Sequence, residues 1–276
     1  MTVDTPPSIQ PIARSVWRSG APSTGIRMVP EETAVAFTYN RTAHAVMMAS
    51  PTDLEDFAVG FSLNERVVAR ASEIEELEVV SGEYGIELRM WIGRENGTRF
   101  HDRRRYLAGP TGCGLYGVES LAQAMRPVPW VASDLRVSGD AVRAALAALP
   151  SAQSLNRQTR AVHGAGFWDP ASGLVALRED VGRHNALDKL AGALVRSSVS
   201  AARGVVLLTS RVSVEMIQKA AVMGAPIVVA VSAPTALAVR IADTAGITLV
   251  AVARDDGFEV FTHHHRVTAG SAEYVA

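Results

Sequence analysis

The sequence predicts an α/β protein in which a mixed, mostly parallel sheet covered by helices forms the C-terminal part and a smaller α+β lobe precedes it. Three observations carry this. Apolar runs of four to six residues alternate with helical stretches through the second half. Hairpin signals dominate the first half. Hydrophobic residues make up 48% of the 276, enough for a sizeable core. Lysine plus arginine (27) nearly balances aspartate plus glutamate (28), which argues against a nucleic-acid binder held by phosphate neutralisation. The opening MTVDTPPSIQPIARSVW has no apolar h-region, and no apolar stretch approaches the ~18 residues of a membrane span. The single cysteine suits a reduced compartment, and a cytoplasmic location without membrane attachment is expected.

Residues 1–24, rich in Pro, Ser and Thr, read as an arm of little structure, with the fold starting near Gly25. Residues 25–130 read as the N-terminal lobe and 131–276 as the C-terminal α/β domain, with Pro127 and Pro129 near the boundary. In the first lobe, Thr33 to Phe37 and His44 to Met48 form strands joined at Tyr39-Asn40-Arg41. Ser50-Pro51-Thr52-Asp53 supplies an N-cap, a first-turn proline and an early acid. Leu54, Phe57, Ala58 and Phe61 follow at helical spacing. Segments 75–80 and 86–92 alternate as strands about Ser81-Gly82. Gly109 to Gly117 is a glycine-rich loop, and Val118 to Met125 a short helix.

The second part begins with a helix at 139–149 and a hairpin of Arg160 to Trp168 with Leu174 to Leu177. Then come a helix from about Gly182 to Val195, a strand Val205 to Leu208 and a helix Ser213 to Met223 stopped by Gly224. A strand Ile227 to Val231, a helix Pro234 to Ala245, a strand Ile247 to Val252 and a last strand Phe258 to Phe261 complete the pattern.

In such a sheet ligands bind beyond the carboxyl ends of the strands, where helix N-termini offer N–H groups and positive dipole ends. Three loops qualify: Thr209-Ser210-Arg211, Ser232-Ala233-Pro234-Thr235, and Ala253-Arg254-Asp255-Asp256-Gly257. Their hydroxyls and guanidinium groups suit an anion such as phosphate, while Ser213 and Thr235 equally suit ordinary helix capping. The stretch from Arg178 to Lys189, with Arg183 and His184, is dense in hydrogen-bonding and proton-transfer groups. It reads either as part of this site or as a solvated helix start. Cys113 between Gly112 and Gly114 reads either as a reachable thiol or as a small buried apolar residue. A zinc deaminase site is excluded, because the segment His163-Gly164-Ala165 lacks the catalytic glutamate and no cysteine follows. His263-His264-His265 reads as a solvated run, so no metal or zinc is expected. No nucleotide-binding G-x-G-x-x-G or G-x-x-x-x-G-K-[ST] occurs.

Together, Val29-Pro-Glu-Glu-Thr33, Asp53 to Phe61, Thr111-Gly-Cys-Gly114, Val162-His163, Arg178 to Lys189, Ser210-Arg-Val-Ser213 and Ser232-Ala-Pro-Thr235 resemble the FdhD/NarQ family of formate dehydrogenase accessory proteins. The resemblance implies a sulfurtransferase, or sulfur carrier. It would take persulfide sulfur from a cysteine desulfurase on Cys113 and pass it to the bis-molybdopterin guanine dinucleotide molybdenum cofactor, bound as substrate, for the formate dehydrogenase apo-enzyme. It further implies a cytidine-deaminase-like core and a cofactor-binding segment at Val252, Ala253, Arg254, Asp255, Asp256 and Gly257. Many family members carry C-G-x-C where this chain reads Cys113-Gly-Leu-Tyr116, so a cofactor-binding chaperone without sulfur transfer is the alternative. A homodimer is expected as a common way to bury an exposed sheet or helix face.

Overall fold

The computed structural model describes residues 4–18, 20, 22–93, 127–254 and 256–269. The Cys113 loop, the helix expected over Val118 to Met125, and Asp255 lie outside the described residues.

The chain opens with a hairpin of β1 (Ile9–Val16) and β2 (Ser23–Pro30) where an arm of little structure is expected from residues 1–24. Eight cross-strand pairs in unbroken register, Ile9 with Pro30 through Val16 with Ser23, hold it. Its residues are mostly exposed and carry no strong apolar alternation, so the backbone ladder rather than a buried face defines it.

A four-stranded sheet follows in the order β4-β3-β6-β5, from β3 (Thr33–Tyr39), β4 (Thr42–Ala49), β5 (Ile74–Gly82) and β6 (Gly85–Ile92). The β3–β4 turn places Asn40 and Arg41 at φ 47° and 65°, the left-handed pair of a two-residue hairpin. Alternate residues Val35, Phe37 and Tyr39 of β3, and Ile86, Leu88 and Met90 of β6, are buried with Phe57 and Phe61 of α1 (Leu54–Asn64). The expected helix at Leu54 forms, but Ser50 and Pro51 do not start it. Asp53 is the N-cap, at φ 52° and without a side-chain cap bond. Ser50 is instead buried and bonded to the C-terminal domain.

The larger sheet has six strands in the order β13-β12-β11-β10-β8-β9. They are β8 (His163–Asp169), β9 (Gly173–Asp180), β10 (Val205–Leu208), β11 (Ile227–Ala230), β12 (Thr248–Arg254) and β13 (Gly257–Val260). It is mixed, as expected, yet only β10–β11 and β11–β12 pair in parallel. Pairs β10–β8, β8–β9 and β12–β13 are antiparallel, so four of six strands share a direction while most pairings do not. The cause is topological. The β8–β9 hairpin folds back before β10 is laid down, and β13 returns from β12 by a tight turn.

Both faces of this sheet are covered. Val206, Leu208, Val228 and Leu249 pack with residues of α4 (Arg183–Arg196), α5 (Val214–Met223) and α6 (Ala236–Thr244). On the opposite face Leu207, Val229 and Val250 pack with Val142, Ala145 and Leu149 of α2 (Gly139–Ala152), which is followed by α3 (Ser154–Thr159). A short parallel pair, β7 (Val137–Ser138) with β14 (Val267–Thr268), closes the domain. Gly224 and Gly246, at φ 73° and 71°, end helices as their positions in the sequence predict. No helix among the described residues is long and apolar enough to cross a membrane.

Helices α1 and α4 join the two sheets. A β-carbon on Gly60 would lie 1.7 Å from the Asp188 carbonyl oxygen, and one on Gly192 would lie 1.9 Å from that of Asp56. The two backbones are therefore in direct contact, which only glycine permits.

Candidate functional site

The strand order brings the predicted loops to one edge of the larger sheet, stitched by backbone bonds. Thr209 N–H donates to Gly164 O at 3.1 Å, beside His163. Thr235 N–H donates to Val212 O at 2.9 Å, so the loops after β10 and β11 run side by side. Val252 N–H donates to Ser232 O at 3.3 Å and ties in the third loop. At the far side, His163 pairs with Asp180, placing the start of α4, with Arg183 and His184, at the same edge.

Val252 adopts φ 51°, a left-handed conformation that a β-branched side chain rarely takes. It falls where the β12–β13 register shifts between Ala251 and Arg254, a bulge that turns the strand out of its ladder. Such strain persists only where surrounding structure enforces it, and it marks this loop as specialised. Ala253 is buried, whereas Arg254, Asp256, Arg211 and Thr235 are exposed and Ser232, Gly257 and Arg183 are half-buried. The Thr235 hydroxyl accepts from Ala238 N–H at 3.2 Å, so it acts as the α6 cap. Ser210 is buried and donates to the Arg211 carbonyl at 3.1 Å.

The motif from Arg178 to Lys189 divides into two faces. One binds the N-terminal lobe. Asp180 Oδ2 and Lys189 Nζ form an ion pair at 2.6 Å with both side chains 0% exposed. Around it, Ser50 N–H donates to Asp180, Lys189 donates to Ser50 O, and Asn185 Nδ2 donates to Met48 O. Arg178 pairs with Asp53 at 3.3 Å and with Asp56 at 2.7 Å. Asp188 accepts from Asn64 at 2.7 Å and from Lys219 at 2.7 and 2.8 Å, and Lys219 also reaches Glu65 at 3.0 Å. Burial works against the Lys219 charge, but Asp188 and Glu65 outweigh it and hold the lysine above its ordinary range.

The other face carries Arg183 and His184 toward α5. His184 Nε2 lies 4.0 Å from Glu215 Oε2, and both residues are 9% exposed. Neither atom has a hydrogen-bond partner, and neither do Ser213 Oγ and Arg183 Nε, all four being buried. Burial, then the cations of Arg183 and Lys219, push His184 down to about 3, so the imidazole is neutral near pH 7. His163 is lowered as well, first by burial and then by Arg183. A buried unpartnered polar group costs roughly 1–3 kcal/mol, and the fold retains several in one place. Among the described residues no group of three or more His, Cys, Asp or Glu side chains is arranged to hold a metal ion.

Glu215 is the residue that sequence reasoning missed. An acid in the first turn of α5 reads as ordinary support for the helix dipole, and only the packing of α4 on α5 brings it to His184. Of the predicted positions, Ser210, Arg211, Ser232, Thr235, Val252, Ala253, Arg254, Asp256, Gly257, Arg183 and His184 share this edge. Cys113 and Asp255 lie outside the described residues.

Fold and site together define a mixed α/β protein, with a helix-covered sheet whose carboxyl edge gathers buried polar groups and a small lobe packed beside it. The model of the FdhD/NarQ family matches residues 30–268, and the chain belongs to that family. It is 53% identical over 268 residues to a sulfur carrier protein FdhD of Agrobacterium fabrum, covering 97% of this chain and 99% of the relative. A sulfur carrier protein FdhD of Cupriavidus necator is 50% identical over 264 residues, covering 95% and 91%. Among solved structures, one from Desulfotalea psychrophila, assigned as a formate dehydrogenase accessory protein, is similar with a TM-score of 0.76 and 26% identity. That likeness covers 95% of this chain and 100% of the other.

Proposed function

We propose that this protein is a sulfur carrier in formate dehydrogenase maturation, with Cys113 as the carrier thiol. One observation carries the reading. The segment from Val252 to Gly257, which family resemblance links to the cofactor, and the neighbouring loops at Ser210 and Ser232 share a sheet edge with four buried, unpartnered polar atoms. In this reading the Cys113 thiolate attacks the terminal sulfur of a persulfide on a cysteine desulfurase. The donor S–S bond breaks, the donor cysteine leaves as a thiolate, and Cys113 becomes the persulfide. Onward transfer to the bis-molybdopterin guanine dinucleotide cofactor, the substrate destined for formate dehydrogenase, would break the Cys113 S–S bond, release the Cys113 thiolate and a proton, and leave the sulfur on the cofactor as sulfide, with the two electrons for that reduction coming from the cofactor's metal. Arg183, Arg211 and Arg254 supply cations for its phosphates, and Ser232 and the helix starts supply further donors. A cytidine-deaminase-like core is the finer fold assignment, supported by the β8–β9 hairpin standing beside three parallel strands.

The test is direct. Incubation with a cysteine desulfurase and free cysteine should add one sulfur atom to the Cys113 peptide in a mass spectrum, and Cys113→Ala should fail to restore formate dehydrogenase activity in cells lacking their own accessory protein. A second reading is favoured by the single cysteine, since Cys113-Gly-Leu-Tyr116 offers no resolving thiol: a chaperone that binds the cofactor without moving sulfur. Full activity with Cys113→Ala would select it.

A further inference from the structure

We propose that the β1–β2 hairpin is an exchange arm, which in a two-fold dimer of this chain lies across the outer face of the second copy's four-stranded sheet. The inference is independent of the sulfur-carrier reading.

The hairpin is bare along most of its length. Toward its base Arg27 Nη2 donates to Thr159 O at 3.0 Å, and Glu31 N–H donates to Ser8 O at 2.9 Å. Beyond that both faces are exposed, with Ile12 and Arg14 on one and Ala13 and Ile26 on the other, as strand alternation requires. Ile12, Trp17 and Ile26 are 49%, 78% and 70% exposed. A two-stranded hairpin without a covered face is marginal in water, so an arm of this kind depends on what covers it. Arg14 and Arg18 are exposed beside these apolar residues, and neither has an ion pair among the described residues.

The same chain carries a surface that answers the arm. Helix α1 covers one face of the sheet β4-β3-β6-β5, where Phe37 and Leu88 are buried. On the other face Val46 and Met48 of β4 are 60% and 49% exposed, opposite Ala36 and Ala34 of β3. Beside this apolar strip, Glu76 and Glu78 of β5 stand opposite Trp91 and Arg89 of β6. A groove of about 330 Å³ opens here, lined by Thr38, Arg41, Glu78, Glu87, Arg89 and Trp91, and it offers a seat for a large side chain such as Trp17. Glu76, and Glu83 at the β5–β6 turn, are exposed without ion pairs among the described residues, and the lobe holds no lysine. A cationic, apolar arm and an acidic, partly apolar face are complementary. Within one chain Arg27 ties the arm to α3 of the C-terminal domain, so the face it matches belongs to a second copy. An eight-residue strand spans about 26 Å and four paired strands lie about 15–20 Å across, so the arm reaches over the whole face. A two-fold axis makes the exchange reciprocal and closes the assembly at two copies.

Sedimentation velocity on the purified full chain tests this. Wild type should be a dimer at about 100 μM. The dimer should weaken as salt is raised, because the charges between arm and face are screened. Arg14→Glu with Arg18→Glu should weaken it at least about tenfold, and so should Glu76→Lys with Glu78→Lys. An equimolar mixture of these two charge-reversed proteins should restore the dimer, since every arm then meets a face of opposite sign. Contacts of arm on arm, or of face on face, do not give that recovery. Trp17→Ala should weaken the dimer by about tenfold. A monomeric wild type overturns the proposal and leaves the arm to a partner of another kind. A dimer unmoved by either reversal, or a mixture that stays monomeric, overturns it as well. Circular dichroism and melting establish that each variant is folded. If Glu76→Lys with Glu78→Lys does not fold, the arm variants carry the test, and a dimer unchanged in both of them sinks the idea.

Discussion

His184 connects the carboxyl edge of the larger sheet to stability. Its folded value is about 3 against an unfolded 6.5, with burial as the main cause. The charged groups facing it are Arg183 and Lys219, which lower it further, Glu65, which raises it, and Glu215 at 4.0 Å, while the neighbouring His163 also lowers it. As pH falls below 6.5 the unfolded chain takes up a proton that the folded chain refuses until about 3, so the stability associated with a neutral His184 is complete above 6.5 and lost through that window. At about pH 5 the loss should be roughly 2 kcal/mol. Urea unfolding of wild type and His184→Gln at neutral and mildly acid pH measures it. The variant should lose less stability on acidification, and parallel loss in both would show that another group is responsible. At this scale the sequence signalled that the Arg178 to Lys189 motif matters, but not how it divides. Asp180 and Lys189 are nine residues apart in a polar run that looks solvated, and both are wholly buried. Sequence cannot separate the two faces, because which side of α4 meets the other lobe depends on α1, more than a hundred residues earlier.

Among the elements, the α1–α4 crossing makes the sharpest demand on side-chain size. Gly60 and Gly192 each sit within 2 Å, at the β-carbon, of a carbonyl on the opposite helix. Alanine at either position needs the helices to separate, which costs about 1–3 kcal/mol or more, against the few tenths to ~1 kcal/mol that alanine usually contributes in a helix. Gly60→Ala and Gly192→Ala should each lower the denaturation midpoint, and an unchanged or raised midpoint would refute the close approach. Neither glycine is conspicuous in the sequence, where both look like tolerated helix residues. The β3–β4 hairpin, by contrast, is legible, because Asn40-Arg41 lies between two β-rich runs and takes the left-handed turn that short loops need. The β1–β2 hairpin is not, since its stability lies in paired backbone that leaves no periodic apolar trace. The N-cap at Ser50 is misread for a related reason. Local sequence offers a good cap, but bonds to Asp180 and Lys189 hold Ser50 elsewhere.

At the scale of the whole molecule, two sheets with separate cores are joined through buried charge as well as through apolar packing. The Asp180–Lys189 pair lies between Ser50 of the first lobe and helix α4 of the second, and both ions are fully desolvated. Such a pair is weak evidence for net stability, because desolvation offsets much of the attraction. Its value is in geometry. Each charge is satisfied only when the β4–α1 connection sits against the end of β9, so the pair favours one seating of the lobes and leaves Arg183 and His184 turned toward α5. Removing one partner leaves the other buried and uncompensated. Asp180→Asn should therefore destabilise the protein by about 3–5 kcal/mol, and so should Lys189→Met. Replacing both, with Asp180→Asn and Lys189→Met, should cost markedly less than the sum of the single changes, since no unpaired ion remains. A double-mutant cycle by urea unfolding gives the coupling, and additive losses would mean that the two charges do not depend on each other. The double variant also separates stability from seating. If the ion pair holds the lobes in register, a variant that stays folded should nevertheless show faster amide exchange along the β4–α1 connection, whereas wild-type protection there would assign the alignment to the other contacts between the lobes, among them the Gly60–Gly192 approach and the Arg178 pairs with Asp53 and Asp56.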